Sequence, residues 1–472
     1  MNVKALGIFL GSLRIGVLFE YAMPGAEVIH RFVADEDFAR RRDAPVLSTS
    51  FLADTPEQQA AFWLDVRAIP FNGRASRRDR SWLLPAFFQN LLPEGVFRDR
   101  IAEMRQCDPR DHLEMLAACG LDLPGNVYAR PLELTRDELA RYVTQNNDAL
   151  EMSVMADPME EGVSLSGVQP KLAVLKEGGR YVGRTKEHDT HIIAKLPVVG
   201  QPRLPELEYL SLRLAAAAGV SVCEAYLEPL ETLAVEHGYD LGDVDARTRF
   251  LAVVRYDRSP QGRIHCEDFA QVLGVMPEDK YTGEMLAGST GTRGERASYL
   301  AVAAVLMSEP SLGEPAVHEL LRRLMVNELL GNPDMHLKNM GLRYPDGVTP
   351  EFPPAYDIVG YAAFARNSGH ALAIVPPAIA PRDKLEPNAK PSLSPAMLRV
   401  FCERLGIAEK PAASALRACV KAAVASWPAL IGGSDLTARQ KELLLAHFEG
   451  HSAVRSLQRR AARPSGERHA LP

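Results

Sequence analysis

Residues 332–339, Asn-Pro-Asp-Met-His-Leu-Lys-Asn, constrain this 472-residue chain more than any other stretch. Upstream of them Val317, Leu320, Leu321 and Leu324 fall on one face of a helix. That helix should stop at Gly331 and Asn332, because Pro333 disfavours helical geometry in the residue before it. The stop predicts Asp334 in a loop at a helix end, with Asn339 five positions further on. An acid and an amide at this spacing can orient a hydroxyl and hold a metal ion, the two tasks of a phosphoryl-transfer loop. The same pair recurs by chance in loops, which are rich in both residues, so the reading depends on what accompanies it.

In protein kinases this work is done by a loop of the form His-Arg-Asp-x-x-x-x-Asn together with a second, downstream Asp. Asp357, in Pro-Ala-Tyr-Asp-Ile, is the candidate for that second carboxylate. Further blocks stand in order: Ser-Leu-Ser-Gly-Val-Gln-Pro-Lys at 164–171, Thr-His-Ile-Ile-Ala-Lys-Leu-Pro at 190–197, Arg-Tyr-Asp-Arg at 255–258, Glu-Asp-Phe at 267–269 and Tyr-Asp at 356–357. With Asn-Leu-Leu-Pro-Glu-Gly at 90–95 and the following Arg98, they resemble the HipA family, serine/threonine kinases best known as the toxins of bacterial toxin–antitoxin pairs. The likeness runs from about Gly7 to about Phe448.

Composition limits the alternatives. With 46% hydrophobic residues the chain can bury more than one core, and ordinary domain sizes suggest roughly two or three compact units. A formal charge of −6 gives the whole protein no electrostatic reason to coat nucleic acid. The six cysteines, Cys107, Cys119, Cys223, Cys266, Cys402 and Cys419, form no Cys-x-x-Cys pair and read as reduced, mostly buried thiols. No signal segment is recognisable, and no stretch reaches the roughly eighteen apolar residues that would cross a bilayer. A cytoplasmic protein with no membrane contact is expected.

The expected architecture is α+β. The resemblance implies a two-lobed, protein-kinase-like (HipA-like) fold with an N-terminal mixed accessory subdomain and an all-helical C-terminal lobe. The expected boundaries are 1–140 for the accessory subdomain, 141–258 for the upper lobe with its phosphate loop and hinge, 259–452 for the helical catalytic lobe and 453–472 for a flexible tail. Leu13, Ile15, Val17, Phe19 and Tyr21 should share one strand face after a turn at Gly11-Ser12. Helical spacing is read over 82–92 and 112–118, and strands at 172–175, 181–182, 191–196 and from Phe250. Residues 206–218 should be helix ending at Gly219, and Thr437-x-x-Gln matches a capping box. The stretch 150–163 reads as a linker, 283–298 and 375–395 as mobile segments.

Phosphoryl transfer asks a protein for charge carriers and holders rather than covalent chemistry. By the resemblance, Asp334 is the catalytic base, and Asn339 and Asp357 are the Mg2+ ligands, hard oxygen donors that suit an ion shared with phosphates and water. Lys195 resembles the strand lysine of kinases and Glu208 its ion-pair partner, although a lone Lys ending a strand is usually just exposed. In this family the Ser-Gly-Val-Gln-Pro-Lys segment replaces a glycine-rich loop, so Gly167, Val168 and Gln169 are expected to offer backbone donors to ATP and Lys171 to add charge. The backbone at Val254 and Tyr256 fall at the adenine hinge, with Asp257 near for polar contacts. His336 reads equally as a nucleotide contact or a structural hydrogen-bonder. Lys338 is expected to neutralise charge on the transferring group, while Asp257, Glu267 and Asp268 are as well explained by structural salt bridges.

Ser164 lines up with the serine that family members phosphorylate on themselves, and Ser166 offers a second hydroxyl. A phosphate there adds about −1.5 to −2 charges to a segment meant to cradle another phosphate, so it should repel ATP. The resemblance further implies a DNA-binding, HipB-like antitoxin as partner, operator DNA reached only through it, and a translation component, an aminoacyl-tRNA synthetase, as substrate. Two other readings use the same residues: an antitoxin-binding co-regulator with little catalysis, and a small-molecule kinase.

Overall fold

Alternating apolar residues on either side of Gly11 form two antiparallel strands, Asn2–Leu10 and Leu13–Ala22, with Gly11 left-handed at the turn. The expected single face from Leu13 to Tyr21 does not form. Ile8 pairs with Gly16 but Phe9 with Arg14, and this bulge turns the strand over. Leu13 and Ile15 therefore pack with Leu6, Ile8 and Leu18 in a core that continues through Phe32, Phe51, Trp63 and Phe88. Val17, Phe19 and Tyr21 join Val3 and Ala5 in a second cluster. Gly16 has no room for a side chain at the bulge, since a Cβ would lie 2.3 Å from the Val33 carbonyl oxygen.

The computed structural model describes the chain apart from residues 1, 23–27, 136–137, 140–141, 143–150, 153–168, 185–188, 284–296, 366–368, 382–391 and 462–472. It packs as two units: Met1–Gly200 with Glu224–Ala297 and His336–Pro353, and Gln201–Cys223 with Ser298–Met335 and Pro354–Pro472. This division does not follow the boundaries drawn at 140 and 258. In the first unit Ala173 and Ile193 of the second sheet pack directly on the N-terminal core, which makes the two regions one body.

The first sheet is completed by Val28–Ala34 and Val127–Pro131, with Glu151–Met152 parallel to its first strand. The helix read over 82–92 is mostly absent: Trp82–Leu83 is a short strand and only Ala86–Gln89 is α-helix, because Pro85 bars helix in the residue before it. His112–Cys119 is helical as expected. The second sheet is antiparallel, in the order Ala225–Pro229, Arg249–Val254, Ile192–Lys195, Lys171–Glu177, Arg180–Val182. The strands read from sequence are all in it. Between 259 and 452, where an all-helical lobe was expected, the strands His265–Asp268 and Gly341–Tyr344 pair with each other in this first unit.

The second unit is helical. Leu204–Ala217 ends just before the left-handed Gly219, Gly313–Leu330 ends at the left-handed Gly331, and Thr437 forms its capping box with Gln440 at the start of Ala438–Gly450. Helix Glu409–Gly432 is long and apolar enough to cross a membrane by length and composition, against expectation. Its stripe of Ala412, Leu416, Cys419, Ala423 and Trp427 is buried against neighbouring helices, and the Trp427 indole donates to the Leu214 carbonyl at 2.9 Å, so one face of it packs into this unit. The tail is helical through Ser452–Ala461, anchored by the fully buried Val454, rather than frayed from 453. The mobile segment expected at 283–298 lies largely outside the described residues, as does the linker at 150–163. Of 375–395 only 382–391 lie outside; the rest holds a turn in which the Ile379 N–H donates to the Pro376 carbonyl, and the Ser394 cap of the helix that Pro395 opens. All six cysteines are free thiols, five of them buried.

Candidate active site

In the first unit the register of two antiparallel strands places Lys171 directly opposite Lys195. Directly opposed residues project from the same sheet face with Cβ atoms about 4.5–5.5 Å apart. Both lysines are buried, at 7% and 6% exposure. Like charges so placed are unfavourable unless anionic groups offset them. The Gln169 side chain donates to the Leu196 carbonyl at 3.3 Å and the Leu196 N–H to the Pro170 carbonyl at 2.9 Å, which lays the approach to Lys171 alongside the end of the Lys195 strand. Gly167, Val168, Ser164 and Ser166 lie outside the described residues.

The segment read from sequence as the hinge is built on a buried ion cluster. Asp122 accepts from Arg255 at 3.1 Å, Arg258 at 2.7 Å and the Thr190 hydroxyl at 2.6 Å. Asp257 accepts from Arg255 Nε and Nη2, each at 3.0 Å, from Arg258 at 2.7 Å and from the Gly125 N–H at 2.8 Å. Burial works against both carboxylates, yet the arginines beside them hold each below the usual range. The Asp257 oxygens are bonded to arginines and a backbone amide, the structural salt bridge that the sequence allowed as its other reading. The Val254 N–H donates to the Glu224 carbonyl at 2.8 Å and that of Arg255 to the His191 carbonyl at 2.9 Å, so those two amides belong to the sheet. Val254 and Tyr256 are half-buried.

Beyond Met335 the loop enters the first unit. His336 caps a short 3-10 turn, Leu337–Asn339, its carbonyl taking the Asn339 N–H at 2.9 Å and its ring meeting Tyr281 edge-on at 4.8 Å. Lys338 is 3% exposed, and its ammonium donates to the Asn90 carbonyl at 2.6 Å, Asn90 Oδ1 at 3.3 Å and Asp268 at 3.0 Å. These bonds tie the loop to the N-terminal region. Sequence reading singled out the Asn90 block only by resemblance; a cross-chain tether of 248 residues' separation leaves no local signal. Asn339 is buried at 7% exposure.

In the second unit Asp334 stands, half-exposed, in the turn after Gly313–Leu330. Its N–H is taken by Asn332 Oδ1 at 3.1 Å, Asn332 Nδ2 donates to Asn327 Oδ1 at 2.6 Å, and Asn327 Nδ2 donates to the Arg323 carbonyl at 2.8 Å. Asp357 is left-handed at φ 57°, a region where few residues other than glycine settle. The chain just before it is pinned by Cys223 N–H to the Ala355 carbonyl at 2.9 Å and Ala355 N–H to the Ser221 carbonyl at 2.8 Å. Strain of this kind concentrates at functional sites. Glu208 is a fully buried residue of this unit, and Lys195 belongs to the other.

Among the described residues no group of three or more His, Cys, Asp or Glu has a metal-binding arrangement. The Mg2+ expected from sequence asks for less, since that ion keeps water and phosphate oxygens and takes only one or two protein carboxylate or amide oxygens.

A sheet carrying two opposed lysines and a helical unit carrying an acid at a capped helix end define a two-lobed, kinase-like α+β protein. The HipA-like C-terminal domain model matches residues 163–427 and the HipA N-terminal domain model residues 6–130. The chain belongs to the HipA family. A solved structure described as the Shewanella oneidensis MR-1 toxin–antitoxin system HipA, HipB and its operator DNA complex shares the fold, with a TM-score of 0.61 and 22% identity over 96% of this chain and 99% of that one. Two curated relatives from Sinorhizobium fredii (strain NBRC 101917 / NGR234), named "Putative kinase Y4dM" and "Putative kinase Y4mE", are 34% and 29% identical over 61% and 67% of this chain. The chain spans 66% and 72% of their lengths.

Proposed function

We propose that this chain is an ATP- and Mg2+-dependent serine/threonine protein kinase of a toxin–antitoxin module, acting in the cytoplasm. The observation that carries the reading is the register that sets Lys171 directly opposite Lys195, so that both project from one sheet face, a placement from which two cations can address the oxygens of one triphosphate. On this reading the two lysines hold phosphate oxygens, the backbone at Val254 and Tyr256 meet the adenine, and Gly167, Val168 and Gln169 offer backbone donors to the phosphates. Asp334 orients the substrate hydroxyl and takes its proton as the new O–P bond forms and the γ-phosphoryl leaves ADP. Asn339 and Asp357 would hold Mg2+, which when bound neutralises charge on the phosphates. The names of the Sinorhizobium relatives support kinase activity.

The partner we propose is a DNA-binding HipB-like antitoxin, with operator DNA reached through it, in keeping with the assembly of the Shewanella protein. The substrate, a translation component of the aminoacyl-tRNA synthetase class, and self-phosphorylation at Ser164 or Ser166 follow from family resemblance. Purified, dephosphorylated protein incubated with Mg-ATP beside Asp357→Ala tests the reading by mass spectrometry. Phosphate on Ser164 or Ser166 in the wild type alone is the expected result. Wild-type protein that binds ATP yet transfers nothing to itself, to protein or to small molecules would overturn it.

A further inference from the structure

We propose that Tyr299 is a positioning residue for phosphoryl transfer: its hydroxyl fixes the turn through Asp334 and Met335, and so the direction of the Asp334 carboxylate, without touching substrate. The inference rests on the reading of Asp334 as the base.

Tyr299 opens the helix Tyr299–Ser308 and is fully buried. Its hydroxyl donates to the Met335 carbonyl at 2.7 Å, and the backbone amides of Leu372 and Ala371 face the same oxygen. The backbone of the helix start is stitched to that segment as well, Tyr299 N–H to the Ala373 carbonyl and Leu300 N–H to the Ile374 carbonyl, each at 3.0 Å. The ring stands edge-on to His370 at 5.6 Å, and His370 Nε2 lies 2.7 Å from Glu328 Oε1. Glu328 also accepts the Leu393 N–H at 2.5 Å, and His451 Nε2 lies 3.2 Å from its other oxygen. The ring is therefore held by packing, and its hydroxyl has a fixed place.

The consequence follows from chain geometry. The peptide before Asp334 is anchored by Asn332 Oδ1 on the Asp334 N–H, and the peptide after Met335 by the Tyr299 hydroxyl on the Met335 carbonyl. Only the dihedrals of Asp334 and Met335 lie between two fixed peptide planes, so a turn without regular hydrogen bonding is clamped from both sides. Phosphoryl transfer responds steeply to such placement: a shift of about 1 Å can cost about 10²-fold in rate.

Tyr299→Phe keeps the ring and its packing and removes only the donor. For the full chain transferring phosphate from ATP we expect kcat to fall about 10- to 100-fold, with KM for ATP within about two-fold and the secondary-structure signal unchanged. Asp334→Asn is run beside it. If wild type and Asp334→Asn transfer equally, the assignment of the base fails on its own account, and Tyr299 loses its role with it. If Asp334→Asn is inactive while Tyr299→Phe keeps wild-type kcat, or loses kcat only in step with a risen KM, the positioning role is overturned. Should Tyr299→Phe not fold, Asn332→Ala cuts the other tether; a selective fall in kcat supports the clamp, and wild-type turnover overturns it.

Discussion

Lys171 and Lys195 stand opposite each other on adjacent antiparallel strands, both almost wholly removed from solvent. Two ammonium groups on one sheet face can address the oxygens of a single polyanion. The pairing gives Lys171, which sequence resemblance placed at the edge of the phosphate loop, the same standing as the strand lysine.

Lys171→Met and Lys195→Met should therefore each lower kcat/KM for ATP, by about 10²- to 10³-fold if each supplies one preorganised contact to the phosphates. Because both address one triphosphate, the double variant should fall by less than the product of the single losses. Steady-state kinetics over a range of ATP concentrations reads both. Wild-type kcat/KM in either single variant removes that lysine from the site.

The parts of the site that sequence made legible are local ones. A helix running into Gly331, Asn332 and Pro333 announces its own stop, and it leaves Asp334 in a turn by a rule that needs no tertiary contact. The capping box at Thr437 and the left-handed stop at Gly219 are of the same kind. What sequence hid is register and distance. A bulge of one residue at Ile15 sends Val17, Phe19 and Tyr21 to the opposite face from Leu13 and Ile15, and no alternation pattern reveals it. Lys338 and Asp257 carry charges that a motif reading assigns to nucleotide chemistry. The Lys338 acceptors Asn90 and Asp268 and the Gly125 amide on Asp257 are set by folding across 70 to 248 residues, whereas Arg255 and Arg258 flank Asp257 in sequence.

Glu267 should make stability fall as pH rises. Burial pushes its carboxyl up to about 7, while it accepts the Thr49 N–H at 2.9 Å and the Tyr344 hydroxyl. A folded state that keeps its proton to higher pH than the unfolded chain gains stability that is complete below the ordinary value of 4.5 and is lost as pH climbs through about 7. Glu267→Gln keeps an acceptor for the same donors and cannot ionise. Between pH 5 and pH 8 the wild type should lose roughly 2–3 kcal/mol relative to that variant, as read from urea unfolding at both values. A stability difference that does not change with pH would show that Glu267 ionises as an exposed carboxylate does.

Asp357 separates the demands of the backbone from those of chemistry. At φ 57° it sits where Asn and Asp settle more readily than Ala, which lacks a short polar side chain to hydrogen-bond locally. Asp357→Asn should keep wild-type stability within about 0.5 kcal/mol, whereas Asp357→Ala should be less stable by about 1 kcal/mol. If the carboxylate holds Mg2+, both variants should nevertheless lose phosphoryl transfer alike, by at least about 10²-fold. Paired urea titrations and turnover measurements on the three proteins decide the matter. Activity that follows stability, with Asp357→Asn nearly as active as wild type, would make the left-handed turn rather than the charge the reason for an acid at this position.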